Sequence, residues 1–347
     1  MREDFEITAE RLLRDLVTPD LLAAAGRGNW PERLWGAIEE NGFCLAMTAE
    51  EQGGIGARWS DTLALVRAAG KFAAPIPLVE AIFANWLLSR CGIAPVSGPL
   101  SFASAEGALS NGRFSGVLSD VPWGGQADHV VTTANSRLLL LRTGDAHVTR
   151  AFNIAGEPRD MLRFEDAAPA IDAPLPDGID DEALRLGGAM LRAGQISGAL
   201  LRTLDIAVDY AGQRVQFGKA IGKFQVIQHR IALLAESVAL TTAAVEAAFA
   251  LASDILPTLP VASAKVVAGE AAGEGAAAAH AVLGAIGFTH EHALHFTTRR
   301  LWSWRSEFGS HGFWSRRIGA LACAGGAGRY WPAITSGAFI TEPKDNR

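Results

Sequence analysis

Cysteine, tyrosine and positive charge are scarce in this chain. Its 347 residues include three Cys and two Tyr, and 31 Lys and Arg are outnumbered by 37 Asp and Glu, for a net charge of −6. Cys44, Cys91 and Cys323 are odd in number and lack metal-ligand spacing, which excludes a disulfide framework and a zinc site and suits a reducing, cytoplasmic setting. Without a basic excess no global field attracts nucleic acid, and a polyanion partner would need a local basic patch. The opening residues, Met-Arg-Glu-Asp-Phe-Glu, are acidic and carry no apolar core segment, so no signal peptide is read there. Charge or glycine interrupts the Ala-rich stretches before about 18 apolar residues accumulate, and no membrane span is predicted. Apolar residues (49%), glycine (37) and tryptophan (nine) are plentiful. That composition excludes disorder, collagen and coiled coil, and at roughly 150 residues per domain the length implies about two domains or one large one with subdivisions.

Across residues 1–95 the apolar positions recur at helical spacing, as in Leu12, Leu13, Leu16, then Leu34, Ile38, then Leu63, Leu65, Val66, Ala69. Gly53, Gly54 and Gly56 interrupt this region, but no strand precedes them, so they read as an inter-helix loop rather than a phosphate cradle. Residues 96–178 hold short segments bounded by Gly, Asn, Asp and Pro, such as His129-Val130-Val131-Thr132-Thr133 and Arg137 to Arg142, and these predict strands. Pro169, Pro174 and Pro176 with Asp177, Gly178, Asp180 and Asp181 mark a second boundary. In residues 179–347 the periodicity predicts helices over 182–212, 224–256, 261–283 and 290–305, with another from about 312. The third is rich in Ala and Gly, which permits close helix packing. Cys323, in an Ala/Gly helix, reads as a buried small apolar residue. The expected fold class is α+β, mostly α: an N-terminal helical domain, a middle antiparallel β domain and a C-terminal four-helix bundle.

The sharpest local signal runs from Arg214-Val215-Gln216-Phe217-Gly218 to Phe224-Gln225, a Gly-bounded turn between two long helices that carries guanidinium and amide groups suited to a diphosphate with an adjoining nucleotide. Further motifs are Gly42-Phe43 leading to Glu51-Gln52-Gly53-Gly54-Ile55-Gly56, and Gly284-Ala285-Ile286-Gly287-Phe288-Thr289-His290-Glu291 followed by Arg299-Arg300. In joint order and spacing these resemble the acyl-CoA dehydrogenase family over almost the whole chain, and in particular divergent bacterial members acting on steroid side chains or other bulky acyl groups.

The resemblance implies a flavin enzyme with FAD lying between subunits, an acyl-CoA substrate, an electron-transfer flavoprotein or similar acceptor, and a homo- or hetero-oligomer, dimer or tetramer. Arg214 and Gln216 would contact the FAD diphosphate, Phe217 would pack near the adenosine half, Gln225 would bond ribose or adenine, and Gly284 and Gly287 would let a neighbouring subunit's backbone approach the same cofactor closely. Gly309 and Ser310 would lie at the same cofactor. The family usually has Gln where this chain has Ala281. The run beneath the flavin ring is Asp120-Val121-Pro122-Trp123, where Pro122 offers neither amide hydrogen nor hydroxyl. Trp123 either stacks on the ring or is a structural core residue.

The family's reaction removes an α proton from an acyl thioester by a carboxylate while the β-hydride passes to flavin. The usual loop, Tyr-Glu-Gly-Thr, aligns with Glu307-Phe308-Gly309-Ser310, so the acidic residue stands one position early. The alternative position for the base aligns near Gly188 and Ala189, which hold no carboxylate. Glu307 is therefore the candidate base, with Trp302, Trp304 and Trp314 nearby to exclude water and raise its pKa; pairing with Arg305 or another surface arginine is the competing reading. Glu291 reads as a helix cap or buttress, and His290, His292, His295 and His311 lack metal-ligand spacing. Arg185 or Arg192 would hold the CoA moiety, and a compact β region would open the acyl pocket to bulky groups. Two functions follow: a flavin-dependent acyl-CoA dehydrogenase, or a catalytically silent or half-site subunit of a hetero-oligomeric one. A flavin monooxygenase or nitroalkane-type oxidase on the same scaffold is the remaining alternative.

Overall fold

The computed structural model describes residues 1–336. Five helices come first: α1 (Arg2–Leu16), α2 (Pro19–Ala25), α3 (Glu32–Glu40), α4 (Trp59–Lys71) and α5 (Leu78–Arg90). In α1, Phe5, Ala9 and Leu13 repeat every fourth residue and are buried as one stripe. Thr18 caps α2 by accepting from Leu21 N at 3.2 Å, with Pro19 at the first helical position, where its missing N–H costs nothing. Helix α5 is buried on nearly every side, including Glu80 in its first turn. The Gly53 to Gly56 segment is an inter-helix loop, as expected, closed on itself by Gly54 N to Ala49 O and Gly56 N to Thr48 O.

Two four-stranded sheets follow. One has the order β1 (Leu100–Phe102), β4 (His129–Ala134), β5 (Arg137–Arg142), β8 (Ile171–Pro174); the other β2 (Ala105–Ser110), β3 (Arg113–Pro122), β7 (Arg159–Ala167), β6 (His147–Thr149). All pairings are antiparallel except β1 with β4, which is parallel and qualifies the all-antiparallel expectation. The β3–β7 register shifts between Leu118 and Val121, and Asp120 sits in that irregularity at φ 52°. Such a bulge re-aims the strand where β3 runs toward Pro122.

The C-terminal region is built on α6 (Ala183–Gln213), α7 (Gln225–Leu251) and α8 (Thr258–Leu283), joined by α9 (Leu294–Trp304), α10 (His311–Gly325) and α11 (Ala327–Ser336). A two-stranded hairpin, β9 (Val215–Gln216) with β10 (Lys219–Ala220), separates α6 from α7. Glycines set how closely the layers approach: side chains on Gly70 or Gly198 would overlap the backbone of Gln195 or Arg67, so α4 and α6 meet nearly backbone to backbone. Cys323 departs from expectation: it is exposed, because α10 turns Trp314 and Leu321 inward instead. Helix α7 also departs, being long and apolar enough by length and composition to cross a membrane. It packs inward through Leu234, Val238, Thr241, Val245 and Phe249, while Leu233, Leu240 and Leu251 are exposed.

Candidate functional site

Glu307 follows α9 and enters a buried cluster of charges. Its Oε1 accepts from Arg159 Nε and Asn153 Nδ2, both at 2.9 Å, and its Oε2 accepts from Arg159 Nη2 at 3.0 Å and Arg192 Nε at 2.6 Å. Arg192, from the buried middle of α6, also donates to Glu80 at 2.7 Å and Gln195 at 2.5 Å. Glu157, in the β6–β7 loop, accepts from Arg300 at 3.0 Å, Arg159 at 3.1 Å, and Asn153 and Trp304 Nε1 at 2.9 Å each. Three carboxylates and three guanidiniums thus balance, and their hydrogen bonds join α5, α6, the β layer and α9. A pair this desolvated is favourable only when its hydrogen bonds are this complete.

The electrostatics correct the expectation for Glu307. Burial pushes its carboxyl up, but the guanidiniums of Arg159 and Arg192 outweigh burial and hold it well below the usual carboxylate range. Its partners are these interior arginines, and Arg305 is exposed. The tryptophans have other tasks: Trp304 bonds Glu157, Trp314 Nε1 donates to Phe308 O at 3.1 Å, and Trp302 stacks on His280 at 5.6 Å. Beneath the cluster, the buried Lys265 Nζ donates to Trp304 O at 2.7 Å, and burial pushes its ammonium down to about 7.

The next residue, Phe308, takes the left-handed conformation (φ 53°) and points inward. Its ring stacks on Phe102 at 5.3 Å; Phe102 meets Phe83 at 4.7 Å, and Phe83 stacks on Trp86 at 5.5 Å. A side chain on Gly188 would overlap the Phe308 ring, and one on Gly187 would overlap Phe83. The two positions where the resemblance puts a base are therefore in contact, and they hold Phe and Gly. Beside them opens a cavity of about 550 Å³ whose lining includes Asp120, Phe152, Asn153, Trp302, Ser306 and Phe308. Gly309 also lines it, at φ 99°, whereas Ser310 caps α10 by accepting from Phe313 N at 3.3 Å. Arg192 is committed to the cluster and cannot reach a CoA; Arg185 lies 5.3 Å over the Phe313 ring and pairs with Glu182 at 3.7 Å.

The segment expected beneath a flavin ring is closed off. The Pro122 carbonyl accepts from Ser101 Oγ at 2.5 Å, and the Trp123 N–H donates to Pro158 O at 3.1 Å. Trp123 does not face Glu307: it is buried against Trp30, with ring centroids 6.5 Å apart, and lines a different cavity. Asp120 adds an exposed carboxylate to the wall, while Arg159 and Asn153 are spent on Glu307 and Glu157. Pro122 itself offers flavin N5 no donor, and with Asp120 on the wall and Arg159 and Asn153 so engaged the residues present do not fit the ring.

The other end of the expected cofactor site is open. A groove of about 830 Å³ is lined by Tyr210, Arg214, Gln216, Phe217, Ala281 and Gly284 among others. The side chains of Arg214, Gln216 and Gln225 have no partner among the described residues, and Gln225 is exposed at the start of α7 beside the groove. Phe217 is 90% exposed at φ 50°, and Gly218 follows at φ 76°, the pattern of a type I′ hairpin turn that a phenylalanine occupies at a cost. Gly284 (φ 64°) has open space where a side chain would be, but Gly287 is buried against Leu283 and Leu294 and does not line the groove. Unpaired guanidinium, amides and an exposed aromatic ring fit the adenosine diphosphate portion of FAD.

Sequence reasoning missed Glu80, Asn153, Glu157, Arg159, Lys265 and Arg300 as members of the charge cluster. A usable signal existed for two: Glu80 interrupts Leu78-Val79 and Ala81-Ile82-Phe83, and Lys265 interrupts an Ala- and Val-rich helix. An unbroken apolar context implies burial, and a buried charge needs partners. Among the described residues there is no group of three or more metal-ligating side chains, and Glu291 is exposed; the α9 entry is instead closed by Leu294 N donating to His292 Nδ1 at 3.1 Å.

Residues 183–313 match the family model described as acyl-CoA dehydrogenase, C-terminal domain. The chain is 30% identical over 285 residues to the acyl-CoA dehydrogenase IpdE2 of Mycobacterium tuberculosis, covering 80% of this chain and 82% of that protein. It is 27% identical over 306 residues to IpdE2 of Mycolicibacterium smegmatis, covering 86% and 91%. Among solved structures, the ChsE4–ChsE5 complex from Mycobacterium tuberculosis superposes with a TM-score of 0.83 at 22% identity, covering 92% of this chain and 96% of that one. The Tcur3481–Tcur3483 steroid ACAD G363A variant gives 0.83 at 20% identity, covering 93% and 98%.

Proposed function

Because this chain belongs to the acyl-CoA dehydrogenase family of FAD-dependent oxidoreductases, we propose that it works as a half-site subunit: it supplies the cradle for the adenosine diphosphate end of FAD and leaves proton abstraction to a partner chain of the same fold. The observation that carries this reading is Phe308 lying in the space above Gly188, with the neighbouring carboxylate of Glu307 tied to Arg159 and Arg192. A general base must be free to take a proton near neutral pH. Glu307 could do so only by giving up its hydrogen bonds to both arginines, and the aromatic series from Phe308 to Trp86 fills the interior beside it.

The bound cofactor would accept the β-hydride in the partner's site. This chain's own part is electrostatic and steric. Arg214 sets a guanidinium against the diphosphate, Gln216 and Gln225 offer amides, and Phe217 extends an aromatic face to the adenosine. The exposed Leu233, Leu240 and Leu251 of α7 offer apolar area to an assembly, and the likeness of fold to the Tcur3481–Tcur3483 steroid ACAD supports a bulky acyl-CoA, such as a steroid side chain, as the assembly's substrate. An electron-transfer flavoprotein or similar acceptor would be the assembly's redox partner, and a cytoplasmic location accords with the unpaired cysteines.

The test is a flavin spectrum of the purified chain, alone and co-expressed with a family member that carries the loop glutamate. The chain alone should not be bleached by any acyl-CoA, and stoichiometric flavin with turnover should appear only with the partner. Bleaching of the isolated chain, lost in a folded Glu307→Gln variant, would defeat the proposal.

A further inference from the structure

A third cavity, distinct from the one beside Glu307 and from the Arg214 groove, shares Glu157 and Arg300 with the charge cluster and has a wall chemistry that neither site explains. About 290 Å³ of space lies between the end of α2, the β6–β7 loop and the start of α9. Its lining brings together Arg27, His290, His295, Arg299 and Arg300. Apart from Glu157, the rest of the wall is apolar or backbone, including Ala25, Pro75, Trp123 and Gly156. In a chain of net charge −6 this is a local excess of donors.

The donors can be counted against the acceptors. Glu157 is the one carboxylate in the lining, and both its oxygens are taken, Oε1 by Arg300 and Oε2 by Asn153, Arg159 and Trp304. The Arg27 side chain has no hydrogen bond or ion pair with any described residue. Arg299 uses its Nε on Ile154 O at 2.8 Å, which anchors the side chain across the β6–β7 loop with its Nη2 close to Gly156. His295 places Nδ1 on His292 O at 2.8 Å, and its ring lies 5.4 Å from that of His290. Two guanidiniums with unspent N–H groups and two imidazoles thus line a pocket in which no carboxylate oxygen is left to pair with them.

We propose that this cavity binds a small molecule that presents an oxyanion, a carboxylate or a phosphate monoester, to Arg27 and Arg299 and rests an apolar body against Trp123 and Pro75. Planar guanidiniums take such an oxyanion in two parallel hydrogen bonds, and a fork held in place by Nε loses little freedom on binding. The volume admits a ligand about the size of a substituted benzene and is too small for a dinucleotide.

Isothermal calorimetry on the full chain tests this with benzoate, phenyl phosphate and inorganic phosphate as probes and benzamide as the uncharged control. Benzoate or phenyl phosphate should bind and benzamide should not. Phenyl phosphate over benzoate identifies a phosphate ester as the preferred ligand, and the reverse order a carboxylate. Arg27→Gln and Arg299→Gln should each weaken binding by about tenfold or more, whereas Arg150→Gln, exposed on the β6–β7 loop, should leave it unchanged. Circular dichroism identifies any variant that has lost its fold. Since Arg27 is exposed, its variant should pass, and it decides the matter if Arg299→Gln does not. Absence of heat with every anion, equal binding of benzamide and benzoate, or full binding in folded Arg27→Gln would each overturn the proposal.

Discussion

Phe308 occupies the volume that a side chain at Gly188 would need. One residue comes from the loop after α9, the other from the first turns of α6, and each is tolerated only because of what the other is. Adding a methyl group in Gly188→Ala should therefore cost about 1–3 kcal/mol by overpacking, even though alanine favours helix. In the double variant with Phe308→Ala most of that cost should vanish. A urea-denaturation cycle over the four proteins measures the coupling; strict additivity would mean that the two positions relax independently.

Glu307→Gln separates a base from a structural ion. As a base, Glu307 would be dispensable for stability and essential for turnover. As the anion between Arg159 and Arg192, its loss leaves two buried guanidiniums undercompensated, a change of about 3–5 kcal/mol for a buried pair. Denaturation should show a loss of that order, while turnover per folded assembly, measured with the base-bearing partner, should be unchanged.

The pH dependence follows from three buried groups, one lysine and two glutamates, whose shifts act at opposite ends of the scale. Lys265 is pushed down to about 7 in the folded chain from 10.5. Between those values the unfolded chain binds more protons, so this group makes stability rise with pH from about 7 to about 10 and imposes its full cost below 7. Lys265→Met should raise the melting temperature at pH 7 and flatten its rise across that window. Glu307 and Glu157 are held below the usual carboxylate range, so their stabilisation is complete above about 4.5 and is lost as the pH falls further toward their folded values. Melting temperatures in a buffer series check both slopes.

The order of helices, strands and helices was legible in the sequence because periodicity is a local property. The Phe5, Ala9, Leu13 stripe and the Leu138 to Leu141 run state their own burial. The residues of the proposed cradle were legible too, since Arg214, Gln216 and Phe217 stand together at one turn and Gly284 at one helix end, and all four line one groove. The interior of the site was not. Whether Glu307 titrates as a base depends on Arg159 and Arg192, 148 and 115 residues away in sequence, and nothing within hydrogen-bond reach of Glu307 along the chain announces them. For Trp123 the sequence left ring stacking and core packing both open; its neighbour Trp30 comes from the segment between α2 and α3, and the structure takes the core alternative.

Phe217 gives the most direct test of the proposed cradle, because its conformational cost and its proposed binding role can be varied separately. A phenylalanine at φ 50° that is 90% exposed gains almost nothing from burial in the free chain. Left-handed backbone of this kind costs of order 1 kcal/mol for a bulky residue and almost nothing for glycine. Phe217→Gly should therefore leave the isolated chain as stable as before or slightly more so, while the assembled enzyme loses flavin affinity through the missing aromatic face, by about 1 kcal/mol or several-fold in the dissociation constant. Arg214→Gln should weaken flavin more strongly, since a charge-assisted pair to the diphosphate is lost. Flavin retained after gel filtration of the co-expressed assembly, measured beside the melting temperature of the single chain, reads both effects. A fall in chain stability with unchanged flavin content would show that Phe217 serves the fold and not the cofactor.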